Sequence, residues 1–514
     1  MVSRVLGLGR DVLVTAVFGT AALASAFYTA FTLPNLFRRL LGEGALTAAF
    51  VPTLNEELKA RQRAGAFALV NTVASWLFVA TGALVVGAMG FILLATRFAP
   101  DPADWPIEPA TARRWLEAAD LAVILFPYLI FVCLAAVFSA ALQSLQRFVE
   151  PALSPIWLNI SMLTLLGGAA YAGWAGTPEE KMLWLCGGAL LGGFLQLIVP
   201  AAALMHEGWR PRFDLSVNGP VRQITRLMGP TVFGSAIYLI NISVSRFIGL
   251  SLNESAVAVL NLATRLMELP IGVFAVAIST VIFPLISKHA AAGDWKSLAM
   301  SYRKGMRLIL VVNIPAAVGL IVLATPIIQL LFERGAFGPA DTVMMQPVLV
   351  VFAVGLPFFS FVNIVLRAFY AQKDTTTPVH AALLSFGVNL VLSLALMKPW
   401  GTVGLAVASN VAVVVQAVFL QVRLARKREG LEFGRVVGDL VKIILAATMM
   451  GAVVAGGWWA WAQFVPASKL SDAFGLLMLI GFGVAAYGGM LWGFKIEGRD
   501  DLATVINKLR GRPA

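Results

Sequence analysis

Six arginines stand where an apolar chain should exclude them. Arg4, Arg10, Arg38, Arg39, Arg246 and Arg265 fall inside long apolar runs, and the carboxylates at comparable depth are Asp11, Glu43 and Glu268. A guanidinium inside a membrane costs several kcal/mol unless it faces a partner or a water-filled cavity. The cations outnumber the anions, so the pattern implies an intramembrane cavity with surplus positive charge, suited to an anionic ligand. Arginine is the residue fitted to bidentate recognition of phosphate oxygens.

The spacing sorts these residues. Asn35 and Arg38 are three apart and Pro34 and Arg38 four apart, which puts them on one helix face. Arg265 and Glu268 are also three apart and can pair. Arg4 and Arg10 are six apart, about 240° around a helix after one full turn, so they cannot share a narrow face. One can hold a ligand while the other pairs with a carboxylate, Asp11 being adjacent to Arg10. Arg4 lies close enough to a helix end to snorkel as an anchor. Arg39 is about 100° around from Arg38 and points elsewhere. Arg39, Glu43 and Arg246 suit structural ion pairs as well as ligand contacts.

No hydrolytic or transfer chemistry is visible. His206, His289 and His380 lack a second ligand at metal spacing, and no Walker-type glycine loop occurs, so neither a metal nor another cofactor is expected. Cys133 and Cys186 lie in apolar runs and are expected to pack as small apolar residues. Gly187, Gly188, Gly192 and Gly193 suit close helix packing. Such a chain carries something without transforming it.

The elements that must position these residues are membrane helices. Hydrophobic residues form 59% of the 514 and charged ones 13%, and mean hydropathy is +0.83, far from a soluble domain at roughly 45–50% apolar and about 25% charged. Apolar windows long enough to span recur along nearly the whole length. Helices are expected near 3–19, 24–57, 66–97, 114–145, 151–174, 182–206, 221–249, 253–288, 298–331, 342–372, 377–397, 402–426, 436–463 and 472–494, fourteen spans in all. The first is read as a spanning helix and not a removed signal. With the amino terminus inside, inner segments hold twenty-five Lys and Arg and outer segments seven, a bias that places both termini in the cytoplasm. The net charge of +12 is then largely this topology signal plus contact with anionic lipid, and nucleic acid is not an expected partner. Pro34, Gly42, Gly44 and Pro52 divide the second span, which is expected to be kinked or partly unwound.

The chain also repeats. Phe126-Pro127 echoes Leu356-Pro357, and each proline precedes an asparagine, Asn159 or Asn389, by the same interval; Leu33-Pro34 echoes Leu269-Pro270. The offset is six spans, which keeps the halves in one orientation. The expected fold is an all-α integral membrane protein of 14 transmembrane helices. Two six-helix bundles, 1–212 and 213–431, are related by a pseudo-twofold along the membrane normal with a site between them, and 432–514 adds two helices and a cytoplasmic tail.

Three segments carry a resemblance. SRVLGLGRD at Ser3–Asp11, LPNLFRRLLGEGALTAAFVP at Leu33–Pro52 and RLMELPIGVFAVAISTVIFP at Arg265–Pro284 resemble the signature segments of the MurJ (MviN) lipid II flippases, within the multidrug/oligosaccharidyl-lipid/polysaccharide exporter superfamily. The resemblance implies transport of lipid II, undecaprenyl-pyrophosphoryl-MurNAc-pentapeptide-GlcNAc, from the inner to the outer leaflet of the bacterial cytoplasmic membrane for peptidoglycan synthesis. It implies alternating inward-open and outward-open states, essential cavity arginines at Arg4, Arg10, Arg38 and Arg265, and a groove for the lipid tail along the last two helices. Lipid II and proteins of peptidoglycan synthesis or division are the partners it implies. Arg10, Arg38 and Arg265 are then expected to contact the pyrophosphate, with Arg4 guiding entry and Asn35, Asp11 and Glu268 completing the set.

The chain departs from the family pattern at Ser25 and Thr264, where relatives carry Asp, and lacks the acids that form a sodium site in some relatives, although Asn389 remains. The alternatives are a flippase for another polyprenyl-pyrophosphate-linked oligosaccharide, a cationic-drug exporter, a membrane glycosyltransferase and a scaffold. A drug exporter would line its chamber with carboxylates, a glycosyltransferase would show a catalytic carboxylate beside a large outer loop, and a scaffold would leave the arginines unexplained.

Overall fold

In a computed structural model the described residues are 2–37, 46–105, 107–272, 276–427, 430–432, 437–466 and 468–494. They form sixteen α-helices and a short 3-10 turn, with no strand among them: α1 (Val2–Phe18), α2 (Ala22–Phe37), α3 (Leu46–Arg97), α4 (Pro109–Leu125), α5 (Tyr128–Ser144), α6 (Val149–Tyr171), α7 (Pro178–His206), α8 (Gly219–Leu252), α9 (Ala256–Pro270), α10 (Val276–Ala291), α11 (Trp295–Val322), α12 (Ala324–Phe332), α13 (Pro339–Ala371), α14 (Thr376–Lys427), α15 (Val437–Phe464) and α16 (Lys469–Gly493). Eight are long and apolar enough to cross a membrane, and α4 with α5 forms a further candidate bent by 44°. The chain is a multi-pass membrane protein.

Several expected spans are broken for readable reasons. Phe126-Pro127 marks the bend between α4 and α5, because Pro127 cannot donate into the turn before it, whereas its echo Leu356-Pro357 lies inside an unbroken α13. The expected helix 298–331 divides at Leu323 into α11 and α12. Helix α14 leaves helical geometry at Gly401, where φ is 56°, inside the expected gap between 397 and 402. The division expected within the second span falls on residues 38–45, outside the described residues.

Two compact units result. The first comprises Met1–Ala258 with Arg334–Phe337. Its densest packing is α6 against α7, and the glycines explain the closeness: a Cβ on Gly188 would lie 2.8 Å from Met162 Cα, and one on Gly192 2.7 Å from Leu158 Cα. Cys133 and Cys186 form no disulfide and are fully buried in this unit's core, as packing residues. Beyond α5 the turn at Gln146 (φ 62°) presents Arg147, which reaches Glu207, just past α7, at 2.9 Å, and pairs also with Glu150. Arg63 adds a second cation to Glu207 at 3.2 Å.

The second unit comprises Val259–Glu333 and Gly338–Ala514. Helix α11 is its hub, packing on α10, α13 and α15. Arg307 of α11 pairs with Asp439 of α15 at 2.7 Å, and the buried Tyr487 hydroxyl of α16 donates to the Val311 carbonyl at 2.8 Å. Beyond α13 the turn at Lys373 (φ 59°) presents Asp374, which reaches Lys427 at the end of α14 at 2.8 Å. Each unit therefore closes the end of a long helix with an ion pair from the residue after a left-handed turn, with the signs reversed.

Candidate functional site

In the first unit the site residues lie on α1 and α2. Glycines at 7 and 9 leave α1 slender, and Arg10 folds back on its neighbour. Its Nη2 and Nε donate to one Asp11 oxygen at 2.7 and 3.0 Å, and Nη1 lies 4.0 Å from Met162 Sδ. The Asp11 side chain is 1% exposed and that of Arg10 14%. The expectation that one α1 arginine pairs with a carboxylate is met by Arg10. Arg4 is exposed and makes no hydrogen bond or ion pair with a described residue. Asn159 joins α6 to α1 by donating to the Ser3 carbonyl at 3.2 Å. Asn35 is half-buried on α2. Arg38, Arg39 and Glu43 lie outside the described residues.

One departure from the family pattern, Ser25, acquires a role, and Arg246 a partner. The Ser25 hydroxyl accepts from the Ala258 amide at 3.2 Å, so it caps the free N–H groups that begin α9. Arg246 donates to the Val257 carbonyl at 3.1 Å, a structural contact of α8 with that same first turn.

In the second unit the site residues lie on α9 and α14. From Val259 to Glu268 every residue of α9 is buried except Asn261, Thr264, Arg265 and Glu268. These recur at i, i+3, i+4 and i+7, one face of the helix. The exposed stripe is wholly polar in an otherwise apolar segment, the pattern of a wall facing water and not lipid. Arg265 Nη1 stands 3.7 Å from Glu268 Oε2, both half-exposed. The carboxylate is present, at a distance and exposure that make this pair a weak one. On α14 the buried Asn389 Oδ1 accepts from the hydroxyls of Ser393 at 3.5 Å and Ser409 at 3.4 Å, a neutral cluster.

One intramembrane arginine escaped the sequence reading. Arg367 lies on α13 within the run FVNIVLRAFYA, exposed and 5.3 Å from the centroid of the Phe283 ring on α10. The test applied to the other six, a cation inside an apolar window, would have found it.

The helical arrangement is that of a multi-span membrane transporter. An inward-facing multidrug resistance MATE family transporter of the MOP superfamily shares the fold with a TM-score of 0.64 at 15% identity, over 83% of this chain and 96% of that one. The chain belongs to the lipid II flippase MurJ family, whose profile matches residues 14–474. It is 33% identical to the probable lipid II flippase MurJ of Rhizobium meliloti (strain 1021) over 96% of this chain and 91% of that protein. A solved structure of lipid II flippase MurJ in an inward closed conformation superposes with a TM-score of 0.78 at 26% identity, covering 98% of each chain. The resemblance read from the three segments is borne out.

Proposed function

We propose that this protein flips lipid II from the inner to the outer leaflet of a bacterial cytoplasmic membrane by alternating access, its arginines receiving the pyrophosphate. It is a transporter and not an enzyme, as its family is. The observation that carries the reading is the α9 stripe: Arg265 within a polar stretch of exposed face from Asn261 to Glu268, inside a chain that matches the flippase family over nearly its whole length.

Arg10, Arg38 and Arg265 are the proposed pyrophosphate ligands and Arg4 the entry guide, with Asn35 beside them. Asp11 and Glu268 hold Arg10 and Arg265 until the substrate arrives. Proteins of peptidoglycan synthesis or division are the proposed protein partners. The fourteen-span count gains support if α3 and α14 each cross twice, at their breaks at Gln62 and Gly401, and if α2 with the start of α3, α4 with α5, α9 with α10 and α11 with α12 each make one broken span. The sign-reversed ion pairs after the two left-handed turns support a twofold repeat of 1–212 and 213–431, with 432–514 added. The Lys and Arg bias supports cytoplasmic termini.

Neither α8 nor the first half of α14 contains Asp or Glu, and Asn389 has serine neighbours. The coupling we propose is therefore the membrane potential acting on the arginines, about 2.3 kcal/mol per charge per 100 mV, and not sodium. Flipping measured in vesicles with potential and sodium varied separately tests this. The function itself is tested by binding of the purified protein to the lipid-linked pyrophosphate precursor against an undecaprenyl phosphate control. Equal binding to both would overturn it.

A further inference from the structure

Helix α13 exposes two different faces along its length. In its first two-thirds the exposed large side chains are apolar: Val343, Met344, Val354 and Phe358. In its last third they are Asn363, Arg367 and Tyr370. Val354 and Asn363 are nine residues apart, as are Phe358 and Arg367, and nine residues at about 100° each is about 180° around the helix. The polar stripe therefore opens on the side opposite the apolar one. If the apolar stripe meets lipid, the polar stripe meets a separate, wet space, since a guanidinium laid against acyl chains is costly.

The chemistry of Arg367 is uncommitted. Its contact with the Phe283 ring engages the π-system of the cation and uses none of its five N–H donors. Among the described residues none accepts a hydrogen bond from it and no carboxylate pairs with it. Asp374, the acid next after it in sequence, is held by Lys427, and Glu268 by Arg265. Asn363, one turn away on the same stripe, uses its amide N–H on the Phe359 carbonyl at 3.0 Å. A half-sandwiched guanidinium with free in-plane donors is built for a bidentate oxyanion. Phe283 belongs to α10 and Arg265 to α9, so the two arginines are held by different helices. Arg367 is thus a separate station and not part of the Arg265 stripe.

We propose that Arg367, braced by Phe283, is an additional phosphate-binding residue of the second unit, engaging the diphosphate of the lipid substrate at the cytoplasmic end of α13 before Arg265 does. This rests on the proposed flippase function and orientation. The same chemistry could be supplied by the phosphate of a bulk anionic phospholipid, and the experiment separates the two.

The protein is purified and reconstituted in nanodiscs of neutral or of anionic phospholipid, and binding of the undecaprenyl-pyrophosphate-linked precursor is measured for wild type, Arg367→Gln, Arg367→Lys and Phe283→Leu, with Arg265→Gln as the reference for the proposed flippase site. Arg367→Gln should weaken binding about tenfold or more in neutral nanodiscs, the value of one lost charge-assisted contact. Arg367→Lys, which keeps the charge and can still snorkel, should recover only part of it, because the fork geometry is lost. Phe283→Leu should weaken it less than Arg367→Gln. If wild type binds and Arg265→Gln does not, while both Arg367 variants bind as wild type, the proposal is overturned and the flippase reading stands. If Arg367→Gln loses affinity only in anionic nanodiscs, the residue is a phospholipid anchor and the proposal is likewise overturned. Failure of wild type itself to bind would strike the flippase reading, and the proposal with it. Should Arg367→Gln not fold, Arg367→Lys against wild type decides.

Discussion

Arg265 and Glu268 face each other at 3.7 Å, one turn apart on the single exposed stripe of α9, both half-exposed. A pair so placed is worth about 0–1 kcal/mol, far less than a desolvated guanidinium gains from a diphosphate. The role proposed for Glu268 is therefore that of a placeholder for the substrate. Glu268→Gln is expected to leave stability within about 0.5 kcal/mol and to tighten binding of the pyrophosphate precursor, since it removes a competitor. Arg265→Ala should abolish rescue of flippase-depleted cells. Binding of Glu268→Gln that is weaker than wild type would show that the carboxylate serves the substrate directly.

The Arg10 and Asp11 pair differs in kind. Asp11 is 1% exposed and accepts two bonds from Arg10, so removing Arg10 costs the buried carboxylate both of them. Breaking a buried pair costs about 3–5 kcal/mol, and Asp11→Ala should fall in that range by denaturant titration in detergent. The double variant Arg10→Ala with Asp11→Ala should be less unstable than the sum of the singles, with a coupling of about 0.5–3 kcal/mol. Additive losses would mean the two residues are not partners. Because Arg10 is also a proposed pyrophosphate ligand, Asp11→Asn should lower stability yet retain more precursor binding than Arg10→Ala.

Much of this was legible in the chain. Cations in apolar windows located α1 and α9, and i, i+3 spacing anticipated that Arg265 meets Glu268, because both rules depend only on local helix geometry. The break at Gly401 fell in an expected gap, whereas the one at Pro127 lies inside a helix expected to be unbroken over 114–145, although proline supplies its cause. The break at Gln62, where φ is 54°, has no such residue and falls where a loop was expected. The same limit applied to Ser25. Its residue type marked only a departure, and its task, capping α9 through Ala258, depends on a contact between residues far apart in sequence. Arg367 was missed although the rule that found the others applies to it equally.

The α6 and α7 contact allows a matched test of the glycines. A methyl on Gly192 would lie 2.7 Å from Leu158 Cα, and backbone cannot rotate away, so the helices must part. Gly192→Ala is expected to cost about 1–3 kcal/mol, as overpacking does. At the neighbouring Gly187 the nearest atom is Leu165 Cδ1 at 4.0 Å, ordinary contact. Gly187→Ala should be neutral or stabilising by up to about 1 kcal/mol, the helix-propensity difference. Equal effects at both positions in thermal unfolding would contradict the packing described.

The Asp374 and Lys427 pair gives a pH dependence. Burial pushes this carboxyl up, but the Lys427 ammonium and the Thr377 backbone and hydroxyl outweigh it and hold the group at about 2. A carboxyl depressed on folding contributes stability that is present above its unfolded value of about 4. That contribution is lost as pH falls from there through about 2. The amides of Thr376 and Thr377 donate to the same carboxylate at 3.1 and 3.0 Å, so their hydrogen-exchange protection reports the pair. In wild type that protection should persist at pH 4 and decline only as pH approaches 2. In Lys427→Met the carboxyl titrates higher, and protection should already be falling at pH 4. The difference between the two proteins should be greatest between the two titrations, near pH 3, and should close below about pH 2, where both carboxyls are protonated. Identical profiles would show that Lys427 does not set the ionisation of Asp374.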